Sequence, residues 1–248
     1  MRSLFLFVSM PLFFASLPLL NGCNSSVDEP NTAIYVEAVL EQAIAADDPM
    51  AVNNAIASGA DVNARGAVGV TPLAYAVGTG KLRAAQALIA KGANPNLEDD
   101  EGDTAVTLAV NRHTSQPEFL SMVLDAGGNP NQLRPDGDPV IVRFINGANL
   151  DAITLMQSKG ANMSAIANRQ PLVVFAAYGA DWDVVWHLIM LGADLDDPKA
   201  REGLVEAFKV PGATLPDSPL YSAKVKVYER LRELGENPVR PAEYDENR

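Results

Sequence analysis

Apolar residues recur at helical spacing in short blocks along this chain, and a small glycine phrase closes each block. Leu82, Ala85, Leu88 and Ile89 give one such stripe, the spacing of an amphipathic helix. Pro49–Ser58, Glu202–Lys209 and Leu220–Leu234 read as further helices, the last with Val225, Tyr228, Leu231 and Leu234 on one face. The phrases SGAD, KGAN, AGGN, KGAN, LGAD and LGEN carry Gly59, Gly92, Gly127, Gly160, Gly192 and Gly235, in steps of 33, 35, 33, 32 and 43 residues. A period near 33 marks a stacked helical repeat. Each glycine is expected to supply the left-handed residue that ends a second helix.

The segment Gly69-Val70-Thr71-Pro72-Leu73 specifies a helix start. Thr71 can cap the helix, and Pro72 sits where no donor is lost. The same residues resemble the G-x-T-P-L-H-x-A-A signature of ankyrin repeats, with Ala74 in place of the histidine, and Gly59-Ala60-Asp61-Val62-Asn63-Ala64 is close to the family's G-A-D-V-N-A. The resemblance covers residues 32–239 and implies an all-α ankyrin-repeat solenoid of about six helix-turn-helix units with short β-turn fingers. Repeat one lacks the T-P-L start, as capping repeats do. Repeat three reads Gly102-Asp103-Thr104-Ala105-Val106, and its extra length falls at His113–Gln116, which predicts an enlarged turn between its helices. Repeat four starts with the degenerate Gly137-Asp138-Pro139-Val140-Ile141. Repeat five has Asn168 where the turn glycine is usual, a residue that tolerates positive φ. The sixth unit, interrupted by Pro211 and Pro216, reads as a C-terminal cap with an inserted loop, followed by a polar tail at 240–248.

Residues 1–22 differ from the rest. Arg2 is their only charge, and an apolar run from Leu4 to Leu20, broken by Pro11 and Pro18, follows it. This is the layout of a secretory signal. The interruptions disfavour a permanent spanning helix, which needs roughly 20 apolar residues. The run ends Leu20-Asn21-Gly22-Cys23, which resembles a bacterial lipobox, and Cys23 is the sole cysteine. The resemblance implies cleavage before Cys23, acylation of that residue, a tether over 23–31, and a periplasmic location on the outer membrane, since Asn24 rather than Asp follows. Several acyl chains, at about 0.8 kcal/mol per buried methylene, hold a protein firmly to a bilayer.

The formal net charge is −12, and removal of residues 1–22 takes it to −13. Such a chain repels phosphate backbones, which argues against nucleic acid, and favours a basic partner. No catalytic set stands out. His113 and His187 are the only histidines and lie far apart, so a zinc site is not expected. There is no G-x-S-x-G elbow or P-loop. The run Leu97–Asp103 sets carboxylates beside a glycine turn, yet it lacks the alternating ligands and distal glutamate of a calcium loop. It reads as a solvated finger tip. No metal, cofactor or enzymatic activity is expected. Were there chemistry, Asp99 and Asp136 on neighbouring fingers would be its place.

The ankyrin resemblance implies a partner-binding surface made of finger tips and first-helix ends. It maps onto Arg65, Val68 and Val70, then onto Glu98, Asp100, Glu101 and Asp103 with Asn111 and Arg112. The fourth and fifth repeats add Arg134, Asp136, Asp138, Arg169 and Tyr178. Trp182, flanked by Asp181 and Asp183, is expected as a partly exposed anchor, and Trp186 as core. Export, lipidation and repeats together resemble the immunity lipoproteins that neutralise antibacterial, lipase-type effectors of type VI secretion. A periplasmic scaffold or oxidative-stress maintenance factor is the alternative.

Overall fold

The computed structural model describes residues 29–210 and 219–241. The signal-like segment, Cys23, Pro211, Pro216 and all but the start of the polar tail lie outside them. The described residues form twelve α-helices in six consecutive pairs. The pairs are α1 (Glu29–Ala45) with α2 (Pro49–Ala57), α3 (Pro72–Thr79) with α4 (Leu82–Ala90), and α5 (Ala105–Arg112) with α6 (Glu118–Asp125). They continue with α7 (Val142–Asn146) and α8 (Leu150–Ser158), α9 (Leu172–Tyr178) and α10 (Trp182–Met190), and α11 (Pro198–Ala207) and α12 (Pro219–Glu233). First helices stack on first helices (α1 on α3, α3 on α5, α7 on α9, α9 on α11), and second helices stack likewise (α2 on α4, α10 on α12). Helix α1 starts at Glu29, inside the stretch read as tether. Pro30 falls in its first turn, where a missing donor is harmless.

Local chemistry sets each unit. The Thr71 hydroxyl accepts the Ala74 N–H at 3.2 Å, with Pro72 opening α3. In repeat three, where alanine replaces that proline, Thr104 and Thr107 close a reciprocal cap, each hydroxyl accepting the other's backbone N–H at 3.2 and 2.9 Å. All six phrase glycines have positive φ, from 87° to 107°. A Cβ on any of them would meet open space, so backbone conformation alone demands glycine there. The α5–α6 turn spans 113–117, against 80–81 between α3 and α4, as the added length predicts.

A ladder of short polar side chains runs the length of the array. Asp61 Oδ1 accepts the Asn63 N–H at 2.9 Å, and Asn63 Oδ1 accepts the Asn94 N–H of the next unit at 2.8 Å. Asn96 receives Asn129, and Asn131 receives Asn162, each at 2.7 Å. Ser164 Oγ accepts the Asp194 N–H at 2.7 Å and continues the series. The amides of Asn96 and Asn131 also donate to the carbonyls of Gly127 and Gly160, at 2.9 and 3.0 Å. Each rung thus satisfies backbone groups that the helix ends leave without partners. Asn131→Ala removes two such bonds at an exposed site and is expected to destabilise the array by about 1–2 kcal/mol. Asn131→Asp, which keeps the acceptor, should lose less. Urea unfolding midpoints of the two variants check this.

The core runs continuously along the stack, with Leu73, Leu88, Phe119, Leu120, Ile153, Leu172 and Leu188 at most 1% exposed. Two expectations about the C-terminal units change. The buried face of α12 is Ala223, Lys224, Val227, Tyr228 and Leu231, with Val225 only partly covered. Trp182 is 2% exposed. Its ring lies 4.6 Å from that of Phe208, and Phe208 lies 6.2 Å from Tyr228. The Lys224 ammonium sits 4.9 Å above Trp182, and burial lowers its pKa. Trp186 is the half-buried ring, with the Lys226 ammonium 5.8 Å from it. The expected roles of the two tryptophans are therefore reversed, because the sixth unit covers the start of α10.

His113 lies in the enlarged turn, edge-on to Phe144 at 5.0 Å. Its Nδ1 is buried with no hydrogen-bond partner among the described residues. Burial lowers its pKa, so the unfolded chain takes up a proton at a pH where the folded one resists. Stability from this site is full above the unfolded value of about 6.5 and declines as pH falls below it. His113→Leu should flatten that decline between pH 7.5 and 5.5 in denaturation midpoints. The other histidine, His187, lies on α10 with its Nε2 2.8 Å from the Thr154 hydroxyl.

Candidate protein-binding face

Connections between pairs project as fingers, and two of them are built as tight returns. The fifth carries a short hairpin, β1 (Ile166–Ala167) against β2 (Gln170–Pro171). Asn168 and Arg169 both have positive φ, 47° and 65°, the conformation of a two-residue primed turn. In the fourth finger Leu133 pairs with Pro139 in an isolated bridge. The second finger has Val68 at φ 53° and 65% exposed. A branched residue there is strained backbone, and an exposed valine gains nothing from the core in return.

Many of the polar residues expected to face a partner are engaged within the array. Arg65 donates to the Glu98 carbonyl at 2.5 Å and pairs with Asp100 at 3.0 Å. Asp99 Oδ1 accepts the N–H groups of Glu101 and Asp103, both at 2.9 Å. Asp103 takes the Thr107 hydroxyl at 2.8 Å, and Glu98 takes the Gln132 amide at 3.2 Å. Arg112 binds the Gly78 carbonyl and Gln116. Arg134 pairs with Asp136, which also accepts the Asp138 N–H, and Asp138 accepts the Asn168 N–H at 2.7 Å. The carboxylates of Asp99 and Asp136 are thus each committed to their own finger. The acidic run 97–103 holds its finger in shape and ties it to its neighbours. Exposed pairs of this kind stabilise by at most about 1 kcal/mol each. Among the described residues no cluster of three or more His, Cys, Asp or Glu is placed to hold a metal.

Exposed apolar side chains stand among these paired charges. Val68, Leu133, Ile166 and Tyr178 are 65%, 52%, 50% and 48% exposed. Glu101, Asn111 and Arg169 are also exposed, Val70 is half-buried, and Trp182 is withdrawn into the core. Leu133 and Ile166 were missed by sequence reasoning. Both stand two residues after a ladder position, Asn131 and Ser164, where the earlier fingers carry Arg65 and Glu98. That register was the available signal.

A groove of about 340 Å³ opens between α7 and α9, walled by Ile145, Phe175 and Tyr178. Asn146, Asn168 and Gln170 add carboxamides, and Asp181 adds a carboxylate. Apolar walls with a few converging polar groups are the usual form of a recognition site.

Residues 40–133 match a protein-family model described as "Ankyrin repeats (3 copies)". The chain is also similar to the E3 ubiquitin-protein ligase KEG of Arabidopsis thaliana, with 26% identity over 144 residues, or 58% of this chain. The match spans 9% of that relative's length. With twelve helices in stacked pairs and a single two-stranded hairpin among the described residues, the fold is an all-α ankyrin solenoid. Ankyrin repeats imply a protein–protein interaction.

Proposed function

We propose that this chain is a lipid-anchored periplasmic protein that binds one protein partner and inhibits it, acting as an immunity protein against a lipase-type effector of type VI secretion. The observation that carries the binding part is the set of exposed apolar side chains, Val68, Leu133 and Ile166 on the fingers and Tyr178 at the end of α9, on a stacked scaffold that holds many of its finger charges in internal pairs. Such a surface loses little conformational freedom on association. The anchor rests on the apolar run from Leu4 to Leu20 followed by Gly22-Cys23. Acylation there would hold an inhibitor where a membrane-degrading enzyme works. Inhibition is by occlusion, with no turnover. The resemblance to an E3 ligase supports the repeats alone, so no ligase activity is proposed.

The test has two parts. Cys23→Ala should abolish incorporation of labelled palmitate and release the protein from the membrane fraction. Cells lacking the protein should die when challenged with the matching effector, and the wild-type protein should restore them. Equal survival with and without it would remove the immunity reading and leave a scaffold bound to a resident protein.

A further inference from the structure

The carboxylate of Asp181 is placed differently from its counterparts. Asp181 is the residue preceding α10, a position occupied by Asp48 before α2 and Asn149 before α8. Those two turn back and cap their own helices, Asp48 accepting from Met50 and Ala51, and Asn149 from Ala152. The Asp181 side chain makes no such cap and lines the groove instead. Gly179 makes room for it: a Cβ there would stand 3.1 Å from Asp181 Oδ2, although its φ of −75° is open to any residue. Burial raises the Asp181 pKa, as befits a partly desolvated charge. No cationic side chain lines the groove. Most of the finger carboxylates, by contrast, are spent on the protein's own donors.

We infer that this groove receives an arginine side chain of the partner, its guanidinium meeting Asp181 and the carboxamides of Asn146, Asn168 and Gln170, with its plane against Tyr178 or Phe175. Arginine fits the lining better than lysine does. A flat group with five donors can use several oxygens at once and stack on a ring, whereas an ammonium is a strongly hydrated point charge. The chain's charge of −12 steers cationic surfaces toward it. The inference rests on the protein-binding reading and names the partner chemistry at one spot.

The test needs no knowledge of the partner. The purified protein is titrated with N-acetyl-arginine amide, and separately with the lysine and alanine analogues, while backbone amide shifts are followed by NMR. The arginine probe should produce saturable shifts at Asn168, Phe175, Tyr178 and Asp181, with the lysine analogue weaker and the alanine analogue silent. Asp181→Asn should weaken the arginine response by at least about tenfold, and Asp183→Asn, a like change outside the groove, should leave it intact. Absence of shifts at these residues, an unchanged response in Asp181→Asn, or equal binding of lysine overturns the inference. The broader reading is judged separately. If an effector binds wild-type and Asp181→Lys proteins equally, the arginine site is wrong and the partner stands. If the probe binds and no effector does, the site stands and the immunity reading falls.

Discussion

Trp182→Ala is expected to destabilise the protein by about 3–5 kcal/mol, the usual range for deleting a fully buried large aromatic. The ring is 2% exposed, stacks on Phe208 at 4.6 Å and lies under the Lys224 ammonium. Phe208 follows α11, and Lys224 and Tyr228 belong to α12, so one side chain joins both helices of the last unit to repeat five. Repeat arrays approximate a sum of unit and interface terms. The loss should therefore appear first as release of α11 and α12, with the N-terminal repeats still folded. Hydrogen exchange should show α12 amides losing protection while those of α3 and α4 keep it. A loss below about 1 kcal/mol, or a uniform loss along the chain, would contradict this role. Weaker partner binding by this variant would report lost structure. Tyr178→Ala, 48% exposed, is the substitution that probes contact without disturbing the core.

The difference between these two aromatics shows what a sequence can carry. The period of the glycines, the Thr71-Pro72 start and the turn at Asn168 are local instructions, written in a few adjacent residues, and the structure follows each of them. Exposure at the end of the array is another matter. Trp182 and Trp186 adjoin on α10, but its covered arc is Trp182, Val184, Val185 and Leu188. Which ring lies inside depends on where an irregular sixth unit lands, and no local rule sets that. The internal pairing of the charged footprint was hidden for a related reason. Asp100, Asp103, Asp138 and Arg112 read as surface charges in one dimension, whereas the fold brings a donor or acceptor from the next turn or a neighbouring repeat to each. The ladder is legible in the sequence: Asp61 and Asn63, Asn94 and Asn96, Asn129 and Asn131, Asn162 and Ser164, and Asp194 and Asp196 recur beside the first five phrase glycines. The glycine answers to φ alone, whereas these side chains, two residues apart, bond across the repeats. Asp181 has no sequence signature, since its identity matches a capping residue and only its direction differs.

Gly128→Ala offers a sharp conflict between repeat consensus and local packing. Four other repeats carry alanine at this position, Ala60, Ala93, Ala161 and Ala193, all buried. Consensus alone recommends the change, and removing a glycine from the unfolded chain should add about 0.4–1 kcal/mol of stability. The neighbourhood of Gly128 argues the reverse. A Cβ there would stand 2.7 Å from the Val123 carbonyl oxygen and 2.8 Å from Val106 Cγ2. One of these is backbone and the other belongs to a stiff, branched side chain, so neither yields cheaply. Overpacking of this kind costs about 1–3 kcal/mol. The sum favours destabilisation by about 1–2 kcal/mol, placed beside the rung where Asn129 donates to Asn96 at 2.7 Å. The variant should melt below wild type and lose protection at the Asn129 amide. Val106→Ala should relieve part of the clash, so that the double variant is more stable than the two single losses add up to. A rise in the melting temperature of Gly128→Ala would show that repeat three opens to the consensus spacing at no net cost, and would overturn this account of the site.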